Sequence, residues 1–128
     1  MGTSSLLKKL RIKPGQRILF LNAPPDYAEQ LGVVPEGVEV SDRLSGKFDL
    51  IQVFAQNTKE LQRFGPKAIQ ALKPEGLIWF SFPKGSSKMQ TDLTRDVGWD
   101  AIRRPDLKWI SLISVNDVWS AFALRKQT

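Results

Sequence analysis

The chain has 128 residues, 41% of them hydrophobic and 25% charged, the size and composition of a single globular domain. No apolar run approaches the roughly 20 residues that a membrane-spanning helix needs, and the first ten residues lack the apolar core of a secretory leader. There is no cysteine and no histidine, which excludes disulfides, thiolate chemistry and imidazole as base or metal ligand. Any catalysis would fall to carboxylates, lysine, hydroxyls, arginine or the single Tyr27.

The net charge is +6, from 19 Lys and Arg against 13 Asp and Glu. Lys8, Lys9, Arg11, Lys13 and Arg17 all precede the first acid, Asp26. Such an end can track phosphates. No recognised nucleic-acid motif accompanies it, which argues against nucleic acid as the partner.

In chain order, Ser4 or Ser5 can cap a short helix through Leu10, with Leu6, Leu7 and Leu10 on one face. Pro14-Gly15 ends it. Residues 17–21 form a continuous apolar strand of the kind buried on both faces of a parallel sheet. Pro24-Pro25-Asp26 breaks that strand, and Asp26 is placed to cap a helix through Leu31. A brief second strand covers 38–41 and a third covers 48–54. Asn57 with Glu60 has the form of a capping box. It opens a helix to Leu72 whose Gly65-Pro66 predicts a kink or two short helices. Lys73-Pro74-Glu75-Gly76 stops this helix before a fourth strand over 77–82. A polar loop with Lys84, Ser86, Ser87 and Lys88 follows. Thr91 then caps a helix in which Leu93, Val97 and Ala101 share a face, with Asp92 in its first turn. Strands over 109–115 and 119–125 close the chain as an antiparallel hairpin. The exposed edge expected at 119–125 offers a route to a homodimer.

Strands alternating with helices, then a hairpin, predict one α/β domain over 1–128. It has three Rossmann-like layers, a mostly parallel sheet and a C-terminal antiparallel hairpin.

Three stretches resemble the class I S-adenosylmethionine-dependent methyltransferases. Ile12-Lys13-Pro14-Gly15-Gln16-Arg17-Ile18-Leu19 is similar to the lead-in to that family's first strand. Lys47-Phe48-Asp49-Leu50-Ile51 is similar to its fourth strand, and Ala71-Leu72-Lys73-Pro74-Glu75-Gly76-Leu77 to the exit into its fifth. The whole chain also resembles a family of small bacterial proteins of unknown function with a trimmed version of this fold. The shared stretches are Leu21-Asn22-Ala23-Pro24, Thr91-Asp92-Leu93-Thr94-Arg95-Asp96 and Trp119-Ser120. That resemblance implies the fold and a bacterial cytoplasm, and it carries no activity.

The departures from the methyltransferase pattern bear on function. The resemblance implies a glycine-rich turn after the first strand, where backbone approaches the methionine part of the cofactor, yet Asn22-Ala23-Pro24-Pro25 stands there. Prolines offer no N–H. The acid implied for the ribose hydroxyls has a counterpart in Asp42, about 20 residues beyond the turn, which is equally read as a solvated turn residue. Between Val40 and Phe48 there is no room for the family's third strand and helix.

In open α/β sheets ligands sit beyond the carboxyl ends of the strands. The candidate rim is therefore Asn22, Asp26, Asp42, Lys84, Thr91, Asp92 and Arg95. Lys84, the helix start at Thr91 and Arg95 suit a small anion; capping by Thr91 and ion pairing of Arg95 with Asp92 or Asp96 explain the same residues. Asn22 and Asp26 serve either a polar ligand or turn closure and capping. No catalytic residue, metal site or cofactor is expected. The first functional reading is a protein that binds a partner protein or small ligand without methyl transfer. The alternatives are a methyltransferase using S-adenosylmethionine through an altered turn, and a phosphate or nucleic-acid binder.

Overall fold

A computed structural model describes residues 5–87 and 91–126. Six strands form one sheet: β1 (Arg17–Leu21), β2 (Glu39–Ser41), β3 (Phe48–Phe54), β4 (Leu72–Pro83), β5 (Leu107–Ser114) and β6 (Trp119–Lys126), in the order β2-β1-β3-β4-β6-β5. The first four are parallel, and β6 runs antiparallel to both β4 and β5. Helices α1 (Ser5–Lys9) and α2 (Tyr27–Leu31) pack on one face; α3 (Thr58–Gln70) and a 3-10 turn at Asp100–Ile102 pack on the other.

The strand sequences explain these layers. In β1, Ile18 and Phe20 join the α1–α2 core while Leu19 and Leu21 join the α3 core. A strand covered on both faces has no solvent side, so its sequence runs apolar without alternation. Gln52 and Ser81 are the fully buried polar residues among those described. Tyr27 donates to Gln52 Oε1 at 2.6 Å, and Gln52 Nε2 donates to Ser81 Oγ at 2.9 Å, so the three satisfy one another across α2, β3 and β4. The buried Trp79 indole donates to the Leu10 carbonyl at 3.0 Å and pins the end of α1 to the central β4.

The link from β2 to β3 is only residues 42–47 and contains no helix. Parallel strands of one sheet ordinarily need a dozen or more connecting residues, and this link also has to pass β1, which lies between the two. Here β2 is three residues long and stops opposite Leu19, so little height has to be recovered. Arg17 braces the crossing: its guanidinium donates to the Lys47 carbonyl at 2.8 Å and lies 4.2 Å from the Phe48 ring centroid.

Four expectations are corrected. Helix α3 runs unbroken through Pro66 instead of dividing into two, and Gly65 is buried because Ile102 packs against it. Residues 73–76 belong to β4, where the four residues between Leu72 and Leu77 lie opposite the single Asp49 between Phe48 and Leu50 on β3, as a bulge. No helix starts at Thr91: residues 91–99 are irregular backbone with bends, and Val97 is 61% exposed. Thr91 Oγ1 accepts from the Leu93 N–H instead, and Gly98 takes φ +101°, which a helix does not accommodate. Finally, β6 lies between β4 and β5, so the C-terminal edge of the sheet is β5, and dimer pairing through 119–125 has no free edge to use. Ser4 and Lys88 lie outside the described residues.

Candidate functional site

At the carboxyl ends of the strands, β1 leaves the sheet through Asn22, whose φ of +61° is left-handed. Asparagine tolerates this region better than most residues and so stands in for the missing glycine. Its side-chain amide donates to the Phe54 carbonyl at 2.8 Å and to Glu60 Oε1 at 3.2 Å. Glu60 Oε1 also accepts from the Gln56 N–H at 2.7 Å, while the Glu60 N–H donates to Asn57 Oδ1 at 2.9 Å. The capping box therefore forms with its return arm one residue upstream, and it is welded to the β1 turn. With β2 on one side of β1 and β3 on the other, the β1–β3 crevice is where the strand order reverses. Asn22 and Glu60 bridge that crevice.

The open space lies on the opposite flank of β1. Because β2 ends opposite Leu19 while β1 continues to Leu21, a notch remains above the end of β2. It is a cavity of about 570 Å³ lined by Phe20, Asn22, Pro24, Pro25, Val40 and Asp42, among others, with Tyr27 also in its wall. Tyr27 packs edge-to-face on Phe20 and Phe54, with centroids 5.4 and 4.6 Å away. Burial pushes its hydroxyl pKa well above the ordinary tyrosine value, only partly countered by Gln52, so it stays neutral. Among the described residues no lysine or arginine lines this cavity, and its one ionisable group besides Tyr27 is the exposed Asp42.

The remaining predicted residues divide. Asp26 is exposed, lies outside the cavity lining and makes no side-chain cap to α2, contrary to its expected role. Asp92 caps a helix, but not its own: its carboxylate accepts from the Thr58 N–H at 2.8 Å and the Thr58 hydroxyl at 2.5 Å, at the start of α3. These bonds hold its pKa below the usual carboxylate range. The anion site expected at a Thr91 helix start therefore has no helix behind it. Lys84 and Arg95 border a separate cavity of about 380 Å³, and Lys84 Nζ donates to Ser114 Oγ at 2.6 Å. Among the described residues Arg95 forms no ion pair with Asp92 or Asp96. Sequence reasoning missed the Tyr27–Gln52–Ser81 chain; the available signal was a lone glutamine inside the otherwise apolar 50–54 run.

Solved structures place this architecture. A ribosomal protein L11 methylase from Lactobacillus delbrueckii subsp. bulgaricus superposes with a TM-score of 0.61 at 13% identity, covering 97% of this chain and 76% of that one. TrmN from Thermus thermophilus gives 0.57 at 14%, covering 95% and 47%. An S-adenosylmethionine-dependent methyltransferase from Clostridium acetobutylicum gives 0.56 at 8%, covering 97% and 89%. No family model and no curated protein sequence matches the chain. The protein thus has a methyltransferase-like Rossmann fold, with six strands and a helix-free link from β2 to β3.

The turn offers few hydrogen-bond donors to a ligand. Pro24 and Pro25 have no N–H, the Tyr27 N–H is spent on the Pro24 carbonyl at 3.1 Å, and the Asn22 amide is spent on Phe54 and Glu60. Asp42 sits at the cavity lip just beyond β2.

Proposed function

We propose that the protein binds a small ligand in the notch between the β1 turn and the end of β2, without transferring a methyl group. The observation that carries this reading is the convergence of Asn22 and Asp42 on one cavity while Asn22 bridges the adjacent crevice. A pocket with one carboxylate, no cation and an aromatic wall favours an uncharged or cationic molecule bearing hydroxyls, such as a sugar or nucleoside, over the small anion suggested by the sequence. The resemblance to small bacterial proteins and the lack of cysteine support a bacterial cytoplasmic setting. Among the described residues no helix is long and apolar enough to cross a membrane.

A thermal-shift series with nucleosides and sugars at millimolar concentration tests this reading. A ligand held in the notch raises the melting temperature by mass action, and Asp42→Asn removes the shift. A series without any shift, or a shift untouched by Asp42→Asn, contradicts it.

The second reading is a methyltransferase whose cofactor approaches through the altered turn. The observation in its favour is Asp42, which stands where the resemblance implies the ribose-binding acid. It requires S-adenosylmethionine to bind despite the two prolines.

A further inference from the structure

We propose that the α3-side face of the β5–β6 hairpin is a binding surface for single-stranded nucleic acid, separate from the notch at Asp42. The half-buried Trp109 and Phe122 line a cavity of about 320 Å³ together with Arg95 and Arg103. The 380 Å³ cavity adjoins it through the shared Arg95 and Asp96, and continues past Leu112 to Lys84. Leu112 lies opposite Phe122 in the hairpin and is 39% exposed. The 91–102 segment therefore covers this face of the sheet only in part, and a groove remains along the hairpin.

The rings in this groove are fixed in position. Phe122 stacks on Phe82 with centroids 5.4 Å apart and planes 15° from parallel, and Trp109 meets Phe122 edge-on at 5.0 Å. Behind them the buried Trp99 is anchored by its indole N–H on the Thr94 carbonyl at 2.7 Å. Pre-positioned rings offer stacking area at little entropic cost.

The charges suit a phosphate backbone. Among the described residues the guanidinium groups of Arg95 and Arg103 have no hydrogen-bond or ion-pair partner, and Lys84 Nζ rests on a neutral hydroxyl. Among the described residues Asp96 is the one acid lining either cavity, so three cations face one anion. Cations interleaved with partly exposed rings on a single face is the pattern that recognises unpaired bases along a charged strand. A duplex keeps its base faces stacked inside and offers the rings nothing.

Fluorescence anisotropy of a labelled oligothymidylate of about 12 nucleotides, a length within the usual site sizes, tests the proposal across a salt series. The expected result is binding at low salt that weakens as salt rises. Arg95→Ala/Arg103→Ala should weaken it at least about tenfold and lower the slope of log affinity against log salt by about 0.7 per lost phosphate contact. Arg43→Ala/Lys67→Ala, which removes equal charge beside the β2–β3 link, far across the sheet from β5, should leave affinity within about twofold, because the interface is local. Four results would each overturn the proposal. They are no binding at low salt, equal loss in both double variants, equal affinity for the matching duplex, and competition by thymidine monophosphate as effective as by the oligomer.

Discussion

The Asn22 side-chain amide donates to the Phe54 carbonyl across 2.8 Å and joins the ends of β1 and β3, 32 residues apart in sequence. The same residue holds a left-handed backbone at φ +61°. Two replacements separate these roles. Asn22→Gly keeps the backbone and loses the bond, whereas Asn22→Ala loses the bond and adds strain. Urea denaturation should show both variants destabilised by about 1–3 kcal/mol, with alanine the worse of the two. Equal stability of Asn22→Ala and the parent protein would mean that the turn is not fixed by this contact.

Asp92 and Asp49 should make the fold acid-sensitive. The hydroxyl and N–H of Thr58 hold the Asp92 pKa below its ordinary value of 3.8. The Arg17 N–H, with Lys73 at 3.0 Å, does the same for Asp49. A depressed native pKa means that the unfolded chain takes up protons first. The stabilisation is complete above the ordinary carboxylate value and is lost as pH falls through the native one. Urea midpoints measured from pH 6 down to pH 2 should fall, and Asp92→Asn should flatten part of that fall.

Tyr27 gives an alkaline counterpart that can be read without labels, because it is the only tyrosine. Its pKa is raised by burial, so the native protein keeps the proton while the unfolded chain loses it near pH 10. The sign is therefore a stability that is full below pH 10 and declines above it. Phenolate absorbance should stay silent through the range where a free tyrosine titrates and then rise with unfolding. Tyr27→Phe leaves the Gln52 carbonyl without its donor and should cost about 1–3 kcal/mol at neutral pH.

Gly65 shows where the sequence misled. Gly65-Pro66 reads as a kink or a division into two short helices, and α3 is a single helix through both residues. A Cβ at Gly65 would stand 2.9 Å from Ile102 Cγ2, so the glycine serves close packing between α3 and the 3-10 turn. Gly65→Ala should destabilise by about 1–3 kcal/mol through overpacking, despite alanine's better helix propensity. A more stable variant in urea would show that the Ile102 contact yields easily.

The strands were legible because burial on two faces writes itself as apolar runs: Ile18 to Leu21 and Leu50 to Phe54 needed no partner to be recognised. The region around Thr91 was not legible. Its cap-like residues are real, but Asp92 is committed to Thr58, 34 positions earlier, and no local pattern encodes a tertiary cap. The site shows the same division. Asn22 and Asp42 were named from their places after β1 and β2, and they do share a cavity. The missing cation in that cavity, and the grouping of Arg95 with Trp109 and Phe122, depend on which faces the fold brings together. Single-residue reasoning has no access to that.

The most direct test of the ligand-binding account is calorimetric titration of the full chain with S-adenosylmethionine and S-adenosylhomocysteine, alongside any nucleoside or sugar that raises the melting temperature in the thermal-shift series. The account predicts no heat of binding for either methionine-bearing compound at millimolar concentration, and a nucleoside or sugar signal that Asp42→Asn abolishes. Saturable binding of S-adenosylmethionine that depends on Asp42 would contradict it and identify the notch as the cofactor site of a methyltransferase.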